Sequence, residues 1–123
     1  MLTKTIQLFT EKEEEFVNLL IEIGTKRTIA KVLVFLANAP KATSRDIERG
    51  TDLRQPEVSI ALKHMMDRGW MKSHENLSSN KGRPFKVYEL ALPMPKIMDS
   101  IEKEKNQEVK DQLALIKKMR SYV

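Results

Sequence analysis

The sequence predicts an α+β fold, mostly α: short helices closed by a two-stranded hairpin and followed by a long C-terminal helix. Three observations carry that prediction. Between Thr43 and Arg68 two short helices with start and stop residues follow one another across a tight turn. From Trp70 to Leu90 two strand-like runs flank a polar, basic loop. From Ile97 to Val123 apolar residues recur at steps of three or four, interrupted by a polar stretch.

The chain is organised around residues 43–92, with Arg54-Gln55-Pro56-Glu57-Val58-Ser59-Ile60-Ala61-Leu62-Lys63 at the centre. Gln55 is placed to cap the second of the two helices, and Pro56 suits its first helical position, where a missing N–H is no loss. Val58, Ala61, Leu62 and Met65 fall at i, i+3, i+4 and i+7, a single apolar face. Opposite them lie Pro56, Ile60, Lys63 and Asp67, flanked by Glu57, Ser59 and His64. Gly69 is the expected stop. A helix over 56–68 therefore has one side to bury and another to present.

The remaining elements follow in order. Residues 1–9 form an N-terminal arm that reads equally as helix or as extended chain, and its Leu2, Ile6 and Phe9 are expected to pack on something. Thr10-Glu11-Lys12-Glu13 is a capping box that opens a first helix, with Phe16, Leu19, Leu20 and Ile23 as its apolar stripe and Gly24 as its stop. A second helix runs from Lys26 to Asn38, with Ile29, Val32, Leu33 and Leu36 on one face, and Pro40 forbids its continuation. Thr43-Ser44-Arg45-Asp46 repeats the capping logic for a short helix through Arg49, ended by Gly50, with Ile47 in the core and Leu53 in the turn beyond. Trp70–Glu75 reads as a strand, 76–82 as a turn-rich loop, and Phe85–Leu90 as the returning strand. Trp70 is expected as a core plug in preference to a base-stacking residue. An ordinary helical hairpin would explain residues 43–68 alone, but helix, helix, strand, loop and strand together make a winged helix, with the loop as its wing. The winged helix-turn-helix domain then spans residues 10–92.

Composition bounds what such a domain does. The chain has 123 residues, 41% of them hydrophobic, so a core is available. There are no cysteines, which excludes disulfides, thiolate metal sites and cysteine nucleophiles. Neither a signal peptide nor a membrane span is expected, so the location predicted is the cytoplasm. The net charge of +5 is unevenly placed. Residues 10–23 hold five glutamates against one lysine, whereas residues 63–86 hold Lys63, Arg68, Lys72, Lys81, Arg83 and Lys86 against Asp67 and Glu75. A basic segment beside an acidic one predicts a surface with one face for polyanions.

The two central motifs also carry a family likeness. Gln55-Pro56-Glu57-Val58-Ser59-Ile60-Ala61-Leu62-Lys63, followed by Met66-Asp67-Arg68-Gly69-Trp70, resembles the recognition helix of prokaryotic winged-helix regulators. Lys81-Gly82-Arg83-Pro84-Phe85-Lys86-Val87-Tyr88-Glu89-Leu90 resembles the Gly-Arg-Pro…Tyr wing of archaeal regulators similar to the TrmB group, within the wider MarR/ArsR superfamily. The resemblance covers residues 25–92 and implies a transcriptional regulator that binds double-stranded DNA as a homodimer. Ile60 departs from it, standing where such helices often carry arginine, so an apolar contact, for instance to a thymine methyl, replaces a guanine contact there. Regulators of this kind often carry an added effector domain, and about 30 residues after the wing are too few for one. Whether a small-molecule effector exists is left open.

In residues 93–123, Pro93 and Pro95 are expected to precede one long helix from Lys96 to Val123, with Ile97, Ile101, Val109, Leu113 and Ile116 as the interface to a second subunit. A packed terminal helix, or two helices broken near Asn106, are the alternatives. In the DNA-facing set, Gln55, Glu57, Ser59, Ile60 and Lys63 are placed in the major groove, and Thr43, Ser44 and Arg54 at helix starts against phosphates. Arg83 at the wing tip is placed in the minor groove, with Lys81 and Lys86 on the backbone. His64 and His74 lack metal-ligand spacing, Met65, Met66 and Met71 read as core fillers, and no triad or phosphate loop is present, so no enzyme activity, metal or cofactor is expected. A protein-docking module and a sequence-neutral nucleic-acid binder are the rival readings. The sequence makes one prediction on mutation: Arg83→Ala weakens binding to many duplexes alike, whereas changes at Ser59 or Lys63 alter which duplex is preferred, as gel-shift titrations across a set of sites would show.

Overall fold

The structure is a computed structural model, and it describes residues 9–77 and 84–123. Its first helix, α1 (Glu11–Glu22), opens on the expected capping box: the Thr10 hydroxyl accepts from the Glu13 N–H at 3.1 Å, and the Glu13 carboxylate accepts from the Thr10 N–H at 2.9 Å. Val17 and Leu20 are buried, Phe16 is half-buried, and Leu19 and Ile23 are exposed. The predicted stripe through Leu19 and Ile23 is thus displaced toward Val17. The apolar arc of α1 is wider than the contact that covers it, and periodicity does not say which edge is left out. The helix ends where Gly24 takes φ +105° and the Thr25 N–H reaches back to the Leu20 carbonyl.

Helix α2 (Arg27–Asn38) is the centre of the first compact unit, residues 1–91. Ile29, Val32, Leu33 and Leu36 are buried as expected, and so are Ala30 and Val34. A helix apolar on nearly every side must be surrounded. It packs against α1, α3 (Ser44–Thr51), α4 (Gln55–Asp67) and the second strand. It ends at Asn38, and Ala39, ahead of Pro40, is extended, as the proline ring requires of its predecessor.

Two corrections concern α3 and α4. Gly50 was expected to end α3, but the helix runs one residue further, and Asp52 takes the left-handed conformation with φ 58°. Gly50 is there for space: a Cβ on it would lie 2.1 Å from Cε1 of Phe35 on α2. Thr51, fully buried, satisfies its hydroxyl by donating to the Ile47 carbonyl at 2.6 Å. In α4 the cap is Arg54, so Gln55 is the first helical residue and Pro56 the second. Val58, Ala61, Leu62 and Met65 are the buried residues of α4, as the spacing predicts. Arg68 caps its C-terminus and Gly69 follows at φ +76°.

Strands β1 (Met71–Leu77) and β2 (Pro84–Leu90) pair antiparallel, with Met71 opposite Leu90 and Asn76 opposite Phe85. On its other edge β2 is tied to the α2–α3 connection, where Ala42 and Tyr88 exchange two backbone hydrogen bonds of 3.0 and 2.7 Å. Trp70, at 3% exposure, plugs the core as expected, and Met65 and Met71 are buried, whereas Met66 is 43% exposed instead of filling a gap. The second unit, residues 92–123, is the helix α5 (Met94–Arg120). It is continuous through Asn106 and about 40 Å long at 1.5 Å per residue. Pro95, expected to precede it, lies in its first turn.

The contact at Gly50 makes a prediction whose sign reverses with context. Gly50→Ala destabilises the parent by about 1–3 kcal/mol through overpacking against Phe35. In a Phe35→Ala background the same change stabilises, by up to about 1 kcal/mol of helix propensity. Urea unfolding of the four proteins measures both.

Candidate nucleic-acid interface

The burial of Val58, Ala61, Leu62 and Met65 decides which residues α4 presents outward. Gln55, Pro56, Glu57, Ser59, Ile60 and Lys63 are all exposed, together with the cap residue Arg54. Ile60 is 62% exposed, a large apolar side chain at the middle of this outer face. Its polar neighbours are bonded among themselves. The Gln55 amide donates to the Ser59 hydroxyl at 2.8 Å, the Glu57 carboxylate accepts from the Arg54 N–H at 2.9 Å, and Lys63 pairs with Asp67 at 3.4 Å. The Lys63–Asp67 pair is exposed on both sides, so it is worth only a few tenths of a kcal/mol, about 0.3–0.5, and a phosphate can replace Asp67.

Both helix starts proposed for phosphate contacts carry a carboxylate of their own. At α3 the Thr43 hydroxyl accepts from the Asp46 N–H at 3.1 Å, and the Asp46 carboxylate accepts from the Thr43 N–H at 3.0 Å. At α4 Glu57 takes the Arg54 N–H. Each carboxylate takes the N–H of its cap residue and places a negative charge at the helix start, which opposes a phosphate there. Thr43 and Ser44 are half-buried.

Lys86 is exposed on β2, in register opposite Glu75. Lys81 and Arg83 lie outside the described residues. One group was not singled out by the sequence: at the far end of α4 the Arg68 guanidinium stands 5.8 Å from the Trp70 ring centroid and 3.2 Å from Nδ1 of His64, whose ring meets Trp70 edge-on at 5.9 Å. The i, i+4 spacing of His64 and Arg68 was the available signal; that Trp70 folds back beside them was not readable. Among the described residues no three acidic or histidine side chains come together as metal ligands, and no helix is long and apolar enough to cross a membrane.

No protein-family model matches the chain, and no curated protein does. Solved structures do. The chain is similar to a possible transcriptional regulator from Methanosarcina mazei, with TM-score 0.60 and 16% identity over 82% of each chain. It is also similar to a transcriptional regulator homologue from Pyrococcus horikoshii, with TM-score 0.52 and 18% identity over 83% of this chain and 97% of that one. A third likeness is to a cysteine-to-serine mutant of MarR from E. coli, with TM-score 0.51 and 17% identity over 89% of this chain and 85% of that one. The fold is a winged helix-turn-helix. Within this winged helix α3 and α4 are the helix-turn-helix pair, β1 and β2 the hairpin that carries the wing, and α5 the C-terminal extension.

The cap geometry makes a prediction about Thr43. Thr43→Ala removes the acceptor for the Asp46 N–H and lowers stability by about 1 kcal/mol, while Thr43→Ser keeps most of it, as thermal unfolding followed by circular dichroism would show.

Proposed function

We propose that this winged helix binds double-stranded DNA and acts as a homodimeric transcriptional regulator. The observation that carries the reading is the two-sidedness of α4: its apolar stripe is buried, and its outer residues are exposed over the whole helix. A helix held in this way fits the major groove, about 12 Å wide, without disturbing the core. The basic residues between Lys63 and Lys86 provide the charge to hold it against phosphates. The transcriptional regulators that share the fold favour this reading over a docking module. In it, α4 reads the major groove through Gln55, Ser59, Ile60 and Lys63, and Arg83 is assigned to the minor groove.

The dimer is assigned to α5. Val109, Leu113, Ile116 and Met119 are 43–59% exposed along one stripe of a helix. Such a stripe is unfavourable in water and is covered when two helices pair. Ile97 and Ile101, expected in the same interface, are buried already and do not belong to the exposed stripe. Two-fold pairing makes the operator a near-palindrome with half-sites about one helical turn apart.

Fluorescence anisotropy with labelled duplexes tests the reading. If each complex neutralises about three or four phosphates, the Kd rises on the order of a hundredfold between about 50 and 200 mM salt. Weak, salt-insensitive binding beside a stable protein partner would favour a docking role instead. Leu113→Asp places a charge in the paired stripe, so sedimentation equilibrium should report the monomer mass, and binding to a two-half-site duplex should weaken while single half-site binding persists. A parent chain that sediments as a monomer at every concentration would rule out the dimer.

A further inference from the structure

We propose that Ile60 reads the C5-methyl group of a thymine in the major groove, so that this protein selects its sites by a methyl contact at the centre of α4. The inference rests on the DNA-binding reading above and concerns what the same face recognises.

Three observations carry it. Ile60 is 62% exposed at the middle of the outer face, and exposed Pro56 stands one turn before it, so the two form a short apolar ridge. An isolated exposed apolar residue is common on any surface, but this ridge lies on the face that α4 has free. The polar groups beside it have part of their bonding capacity committed, Gln55 to Ser59, Glu57 to the Arg54 N–H and Lys63 to Asp67, so their reach toward a base edge is constrained by those partners. Ile60 gives up nothing but water. The third observation concerns stiffness. A β-branched side chain in a helix holds one χ1 rotamer, so Ile60 loses little freedom on contact, unlike the long Lys63 beside it.

The chemistry that fits is specific. In the major groove the thymine methyl is the apolar feature of the base-pair edges, and the other positions are hydrogen-bond donors and acceptors that an isoleucine would desolvate without replacing. Burying one methyl-sized group is worth about 0.8 kcal/mol, which corresponds to about fourfold in affinity per half-site. Phosphate contacts are blind to this group, so it contributes preference and leaves the salt dependence unchanged.

The test uses the full chain. Duplexes are selected from an unmethylated random pool, and each thymine of the selected site is then replaced by deoxyuridine, which removes only the methyl group. Expected is a loss of about fourfold at one thymine per half-site for the parent, and no loss there for Ile60→Ala. With a C·G pair at that position, 5-methylation of the cytosine should tighten binding of the parent and leave Ile60→Ala unaffected. Because Ile60 is exposed, the variant should retain the parent's melting temperature and salt slope, which confirms that fold and phosphate contacts are intact. If no thymine is sensitive to uracil replacement, or if the sensitivity survives in Ile60→Ala, the methyl contact is wrong and DNA binding stands. If the parent binds no duplex at any salt concentration, the reading beneath it falls as well.

Discussion

Everything this winged helix offers outward depends on the burial of one stripe of α4. Val58, Ala61 and Met65 are fully buried and Leu62 nearly so, in a helix that packs on α2, α3 and β1. Burying each of the larger side chains is worth about 1.5–3 kcal/mol, whereas an exposed pair such as Lys63–Asp67 contributes a few tenths, about 0.3–0.5. The inner stripe therefore sets the orientation of α4, and the outer residues are nearly without weight in the fold. Such a division leaves the outer face open to change by mutation without cost to stability, which is what a recognition surface requires.

The same separation operates at the helix starts. Thr43 with Asp46 closes a capping box and Glu57 takes the Arg54 N–H, so two backbone donors at the start of α3 and one at the start of α4 are spent on stability. Acidic groups beside the face proposed for DNA oppose a polyanion, and in that proposal the basic residues from Lys63 to Lys86 must outweigh them. In the proposed complex α4 thus contributes shape and base contact, and the hairpin contributes most of the charge. That assignment agrees with an apolar residue at the middle of α4 in the place where a cation would have been expected.

Helix α5 raises a different question of solvation. A helix of 27 residues presents Val109, Leu113, Ile116 and Met119 to water along one stripe, whereas its early residues Ile97 and Ile101 are buried. Its two ends are thus differently solvated, and the change falls near the polar run from Glu102 to Glu108. The run breaks the apolar pattern without breaking the helix, because Glu, Lys, Gln and Asn residues there are compatible with helical backbone and carry i, i+3 and i, i+4 bonds such as Lys105–Glu108 and Gln107–Asp111.

The order of the elements was legible in the sequence because each is bounded by a local device: Thr10 and Glu13, Thr43 and Asp46, Gly69, and the apolar stripe of α4 are read within four or five residues. The outward set on α4 follows from the same periodicity, once its inner face is known to be buried. What only the tertiary structure decided is where neighbours from distant parts of the chain meet. Gly50 looked like a stop and is a clearance for Phe35; Leu19 and Ile23 looked like core and lie outside the contact with α2; Ala42 is tied to Tyr88 across more than forty residues. Caps and periodicity are local and act through the chain's own geometry, whereas packing is settled by whichever surfaces arrive opposite one another, and that information is not contained in any short stretch.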